Sequence, residues 1–103
     1  MLTVKTTSAF DQWFAALTDV RAQARVQARI DRAEGGNFGD CEPIGEGCSE
    51  MRIHYGPGYR VYLMREGLEV YLLLSGGDKS TQAEDIKAAL KMARQLKHAQ
   101  ARE

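Results

Sequence analysis

Net charge is missing from this chain: 14 Lys and Arg stand against 14 Asp and Glu. No surplus of one sign can capture nucleic acid broadly, so any contact with a polyanion has to come from local clustering. No apolar run approaches the roughly 18 residues a membrane span needs, and MLTVKTTSAF at the start lacks the charged, apolar and small-residue regions of an export signal. A cytoplasmic chain with no membrane partner is therefore expected. Cysteine is scarce too. Cys41 and Cys48 have no histidine at ligand spacing nearby, the pattern of two free thiols in a reducing compartment rather than of a disulfide framework or a metal centre. No repeat or low-complexity segment occurs, and 103 residues suffice for one core but not for two. Residues 1–103 are read as a single domain.

The apolar residues follow two periods. From Met1 to Thr6, Leu2 and Val4 alternate with polar neighbours, as in a short half-buried strand. Ser8 is placed as a helix N-cap with Asp11 as its capping-box partner, and Phe10, Trp13, Phe14 and Leu17 carry helical spacing. A second helix runs from near Asp19 to just before Gly35, since nothing in DVRAQARVQARIDRAE interrupts it. In it, Ala22, Val26, Ile30 and Ala33 share one face, and Arg21, Arg25, Arg29 and Arg32 form a neighbouring stripe. That stripe is either a solvated face or a grip for phosphates. GGNFGDCEPIGEG, residues 35–47, is too rich in glycine for regular structure and is read as an ordered loop.

Glu50 to Tyr55 alternates again, with Met51, Ile53 and Tyr55 toward a core and Glu50, Arg52 and His54 outward. GPG at 56–58 turns the chain, and Tyr59 to Met64 returns with Arg60, Tyr62 and Met64 on one face. After the Arg65-Glu66-Gly67 turn, Val70 to Leu74 is almost continuously apolar, as in a central strand covered on both faces. Gly76-Gly77 is read as the end of that strand. Thr81 with Glu84 then opens a last helix whose buried side is Ile86, Leu90, Ala93 and Leu96, and from about residue 97 a polar tail is expected to fray. The order strand, two helices, three strands, helix predicts an α+β fold with one mostly antiparallel sheet of about four strands.

This order, with GPGYRVY in the hairpin and GGDKSTQAEDI after the last strand, resembles the RelE/ParE toxin superfamily, and within it the HigB-like addiction-module killer branch. The likeness covers nearly the whole chain, through DQWFAAL, GGNFGDCEPIGEG and SEMRIHYGPGYRVY. It implies a RelE-like fold, with two N-terminal helices and one C-terminal helix packed on the sheet, and the toxin of a type II toxin-antitoxin system. Such toxins usually pair with a small antitoxin, here a HigA-like helix-turn-helix protein through which any contact with operator DNA would pass. Many are mRNA interferases, cleaving messenger RNA on the ribosome without metal or other cofactor and so inhibiting translation; ParE-type members act on DNA gyrase instead.

Metal-free RNA cleavage has to deprotonate a 2′-hydroxyl, steady the charge gathering on the phosphate and protonate the leaving oxygen. Arg60 matches the arginine of the family's G-Y-R element, which implies the phosphate-stabilising role. Lys79 falls where the family places a basic residue at the mouth of the last helix, which implies the general acid. Arg52 corresponds to an exposed basic residue of the hairpin strand, and His54 on the same face could serve as base. Tyr62 could stack on a base, and Arg25 and Arg29 could hold RNA phosphates. Plainer roles stand beside these: Arg60 pairing with Glu50 or Glu69, Lys79 with Asp78, and His54 merely structural. The chain departs from the RelE type in one respect, because that type stacks a base on a C-terminal tyrosine and the last tyrosine here is Tyr71.

Overall fold

The chain, in a computed structural model that describes residues 2–101, runs β1 (Thr3–Thr6), α1 (Ser8–Ala15), α2 (Val20–Glu34), β2 (Cys41–Gly45), β3 (Cys48–Ile53), β4 (Tyr59–Arg65), β5 (Val70–Asp78), a 3-10 turn (Lys79–Thr81) and α3 (Gln82–Ala101). Met1, where the first strand was expected to begin, lies outside the described residues. The strands make one five-stranded sheet in the order β1-β5-β4-β3-β2. Only β1 and β5 run parallel, and the other neighbours are antiparallel.

Local chemistry sets the helix boundaries. Asp19 caps α2 by accepting from the backbone nitrogens of Arg21 at 2.9 Å and Ala22 at 3.3 Å, and Gly35 closes it. At α1 the cap is Thr7, one residue earlier than expected. Its hydroxyl accepts from the Phe10 nitrogen at 3.1 Å and donates to the Leu74 carbonyl at 2.6 Å, so the cap also ties the helix start to β5.

Helices cover both faces of the sheet. On one, Phe10, Val26 and Ile30 from α1 and α2 meet Met51, Ile53, Val61, Leu63 and Leu73. On the other, Ala89 and Ala93 of α3 meet Cys48, Tyr62, Met64, Leu72 and Leu74. The small residues let α3 approach closely, and β5 is buried on both sides as its apolar run requires. Cys41 packs against the first core and Cys48 lies in the second, so the sheet separates the two free thiols.

Three segments differ from the sequence reading. The stretch expected to be loop contains the edge strand β2, where Pro43, which has no N–H to donate, is tolerated. Its tip places Glu46 at a left-handed φ of 55°, and α3 holds it there: Arg94 donates to both carboxylate oxygens at 2.8 and 2.9 Å, and Lys97 donates to the Glu46 carbonyl. Those contacts reach past Leu96, and α3 runs on to Ala101, beyond the point where the polar tail was expected to begin. Gly76 and Gly77, in turn, lie inside β5 rather than ending it. A Cβ on Gly76 would fall 2.2 Å from Cε3 of Trp13, and one on Gly77 would fall 2.1 Å from Oδ2 of Asp85. The glycine pair admits α1 against one face of the strand and the start of α3 against the other.

The α3 face also buries a charge. Glu50, expected to point outward, is only 2% exposed. Alternation placed it correctly on the face opposite Met51, but that face is roofed by α3. Its Oε2 accepts from Arg52 Nε at 3.2 Å, its Oε1 accepts from Gln82 Nε2 at 2.8 Å, and Arg60 Nε lies 3.4 Å from Oε1.

Gly76→Ala is expected to destabilise the fold by about 1–3 kcal/mol, lowering the melting temperature by at least about 5 °C. Gly67→Ala, whose Cβ would meet only Val70 at 3.7 Å, serves as the control; equal melting temperatures would refute the close approach of Trp13. Glu50→Ala leaves Arg60 facing no carboxylate and should cost about 2–4 kcal/mol in urea unfolding, against less than about 0.5 kcal/mol for Glu69→Ala at an exposed position. Similar costs for the two would mean that the buried carboxylate carries no such role.

Candidate functional site

The β3–β4 hairpin sets Arg52 directly opposite Arg60 and Ile53 opposite Tyr59. Two cations facing each other across strands repel. Glu50, two residues before Arg52 on the same face, answers both. The contact with Arg60 has ion-pair distance but not hydrogen-bond alignment: Arg60 Nε is buried with no hydrogen-bond acceptor, while its Nη1 donates to the Gly58 carbonyl at 3.2 Å. The Arg60 side chain is 11% exposed, and among the described residues Nη2 has no acceptor. The Gly58 turn and Glu50 thus hold the guanidinium at Nη1 and Nε, and Nη2 bonds to none of the described residues.

On the other side of Arg60 its strand partner is Gly77 of β5, and Tyr59 pairs with Asp78. Asp78 caps the 3-10 turn by accepting from the Ser80 nitrogen at 2.8 Å and from the Ser80 hydroxyl, and those bonds hold its carboxyl below the usual carboxylate range. Lys79 follows, exposed, with no carboxylate partner among the described residues. Pairing with Asp78, the plainer role open to it, is therefore not what it does here. One surface depression is lined by His54, Tyr55, the Gly56–Gly58 turn, Arg60 and Lys79.

His54 also lines a second concavity, with Arg25, Arg29 and Arg32 of α2 and Ile53 of β3. The imidazole stands where the two meet. It is 73% exposed, and its Nε2 lies 2.5 Å from Oδ2 of Asp40. The bond from His54 is the largest of the influences on Asp40 and holds its carboxyl below the ordinary value.

Of the expected site residues, the fold brings together His54, Arg60 and Lys79. Arg52 stands beside the depression rather than in it, because Glu50 draws in its guanidinium. Tyr62 cannot be the stacking surface in this fold: it is 0% exposed, packed beneath α3. Burial first, and then the charge of Glu50, push its hydroxyl up to about 12. That hydroxyl and the Ser75 hydroxyl, on paired residues of β4 and β5, are both buried without a protein partner. Arg29 is not a free phosphate grip either. Its guanidinium donates to the Phe38 carbonyl at 2.8 Å, the Asp40 carbonyl at 3.2 Å and the Arg52 carbonyl, and burial and then Arg32 pull its pKa down from the ordinary value. Arg25 is exposed and lies over the Tyr55 ring, 4.5 Å from its centroid.

Sequence reasoning offered Glu50 as a partner of Arg60, which the structure shows, but took it as outward-facing, and it missed Asp40 and Gln82 as parts of this region. For Glu50 a signal existed: a β5 segment apolar on both faces requires a helix on the Glu50 face, and a carboxylate under a helix needs cations beside it. For Asp40 the sequence offers no comparable signal, since it meets His54 only through the folding of the loop. Among the described residues no group of three or more His, Cys, Asp or Glu is placed to hold a metal ion, and no helix is long and apolar enough to cross a membrane.

No family model matches the chain. A protein of Haemophilus influenzae named as an uncharacterized protein is 48% identical over 93 residues, spanning 90% of this chain and 94% of its own. Among solved structures, the isolated E. coli RelE toxin superposes with a TM-score of 0.63 over 85% of this chain and 98% of its own, at 12% identity. The five-stranded sheet with two helices before it and one after it is thus a RelE-like fold, and the chain belongs to the family of that Haemophilus influenzae protein.

Proposed function

We propose that the chain is the toxin component of a type II toxin-antitoxin module, a HigB-like member of the RelE/ParE superfamily that cleaves messenger RNA on the ribosome without a metal. The observation that carries this reading is the depression that gathers Arg60, Lys79 and His54 on a RelE-like fold. Its partners on this reading are the ribosome with its messenger RNA and a HigA-like helix-turn-helix antitoxin, through which the pair would reach operator DNA.

The three side chains suffice for a transesterification. Arg60 Nη2, with Lys79, holds the phosphate oxygens and steadies the charge that grows on them. The free nitrogen of His54 takes the proton of the adjacent 2′-hydroxyl as O2′ bonds to phosphorus. The bond from phosphorus to O5′ breaks, and the Lys79 ammonium protonates that oxygen. A 2′,3′-cyclic phosphate and a 5′-hydroxyl result, and solvent returns the proton from imidazole to lysine, so no metal or external reductant enters.

A second reading is favoured by one observation. With Tyr62 buried and no aromatic residue after Lys79, stacking of a base has no obvious provider in the C-terminal segment. A ParE-like gyrase inhibitor, or a module that only binds its antitoxin, would need none.

Inducing the chain without an antitoxin separates the readings. The expected outcome is growth arrest with transcript breaks mapped by primer extension, reduced by about 100-fold or more in Arg60→Ala and about 10-fold or more in Lys79→Ala, with both variants folded by thermal melting. Arrest with DNA damage and intact transcripts would overturn the nuclease reading in favour of gyrase.

A further inference from the structure

Asp40 lies in the segment between α2 and β2, remote in sequence from the hairpin that carries Arg60, yet its carboxylate meets the imidazole of His54 at 2.5 Å. The contact is built rather than incidental, because the backbone around it is laced from several sides. The Arg52 nitrogen donates to the Asp40 carbonyl at 2.9 Å. Arg29 reaches from α2 to the carbonyls of Phe38 and Asp40 and to that of Arg52, so one guanidinium joins the loop to the end of β3 just before His54. The Asn37 side chain accepts from the Gly39 nitrogen at 3.0 Å, bending the loop at the glycine. That glycine has a φ of 66°, and any Cβ on it would lie 2.9 Å from Arg29 Nη2, so the loop passes close over the guanidinium. Asp40 and His54 are therefore presented to each other by the scaffold, although the imidazole is largely, and the carboxylate partly, open to water.

An ionised carboxylate only accepts hydrogen bonds, so Nε2 of His54 carries the hydrogen between them, and in the neutral ring Nδ1 is then the nitrogen with the lone pair. A base needs that arrangement: a fixed ring, one nitrogen occupied and the other free, with a negative charge behind it that stabilises the imidazolium once a proton arrives. His54 also lines the depression that holds Arg60 and Lys79. We propose that Asp40 is a positioning residue for His54, holding the imidazole in the tautomer and orientation in which Nδ1 accepts the 2′-hydroxyl proton. This rests on the nuclease reading above and adds to it the residue that makes His54 a base. Arg29 then serves the site indirectly, by fixing the loop, rather than by gripping phosphate.

The test is a double-mutant cycle read on cleavage of a short messenger RNA engaged on purified ribosomes, with His54→Ala, Asp40→Ala and the double variant. His54→Ala should slow cleavage by about 100-fold or more and Asp40→Ala by about 10- to 100-fold. The double variant should be no slower than His54→Ala, because a residue acting through the imidazole has nothing to act on once it is gone. Asp40→Asn, which loses the charge but keeps the size, should fall with Asp40→Ala. A nitrogen-15 spectrum of the wild-type imidazole supplies a readout free of activity: Nε2 should be the protonated nitrogen of neutral His54, with its proton protected from exchange, and that protection should vanish in Asp40→Ala. Undiminished cleavage in Asp40→Ala, or losses that multiply in the double variant, would overturn the positioning role while leaving the nuclease reading intact. A wild-type chain that cleaves nothing while its Nε2 proton is protected would overturn both, and an unprotected Nε2 proton would overturn the dyad by itself.

Discussion

A carboxylate buried beneath a helix governs how the two halves of this fold meet. Glu50 lies on the sheet face that α3 covers, and an unpaired carboxylate there would cost several kcal/mol to desolvate. The hairpin supplies the remedy, because Arg52 and Arg60 face each other across β3 and β4 and repel unless an anion stands beside them. Gln82, in the first turn of α3, completes the arrangement by donating to the same carboxylate. The network therefore matters more for where α3 begins than for net stability. It places the helix start over β4 and β5, puts Lys79 at the rim of the depression, and holds the Arg60 guanidinium between Glu50 and the Gly58 carbonyl.

The same constraint resolves how a chain with no net charge can offer a site to an anion. The positive groups are not in excess but are sorted. Arg52 is spent on Glu50 and Arg29 on backbone carbonyls, whereas Arg60 keeps one nitrogen free and Lys79 has no carboxylate partner among the described residues. Arginines that look alike in the sequence thus have different jobs, and only their surroundings tell them apart. On the proposed function, the reacting phosphate would meet two cations and one imidazole, with a second basic concavity continuing past His54 along α2.

How much of this was legible follows from how local each cause is. The bounds of α2 were readable because Asp19 and Gly35 act within a turn of themselves, and its buried face because Ala22, Val26, Ile30 and Ala33 need only helical spacing. The α+β class was readable from the order of periods, and the RelE-like fold from the resemblance carried by the hairpin and the segment after the last strand. The course of β5 through Gly76 and Gly77 was not, since the reason for those glycines is the Trp13 ring and the Asp85 carboxylate, which arrive from other elements. Strand β2 was hidden by its own glycines and Pro43, residues that an edge strand tolerates and a central one does not. Tyr62 was assigned to the correct face, but that face was taken as open when α3 closes it. The hairpin and the helix mouth suggested Arg52, Arg60 and Lys79 as neighbours; the depression holds Arg60 and Lys79 with His54, and Arg52 stands beside it, drawn to Glu50. Asp40 could not have been anticipated, because its meeting with His54 depends on the path of a loop that Arg29 holds from a third element.

On the proposed function a phosphodiester is cleaved by its own neighbouring 2′-hydroxyl, between His54, Arg60 and Lys79. The most direct measurement is the chemistry of the ends left on cleaved RNA. The expected ends are a 2′,3′-cyclic phosphate on the upstream fragment and a 5′-hydroxyl on the downstream one, so that the latter is ligated only after treatment with a polynucleotide kinase. Downstream fragments bearing a 5′-phosphate would contradict that chemistry, since they require attack by water rather than by the RNA itself.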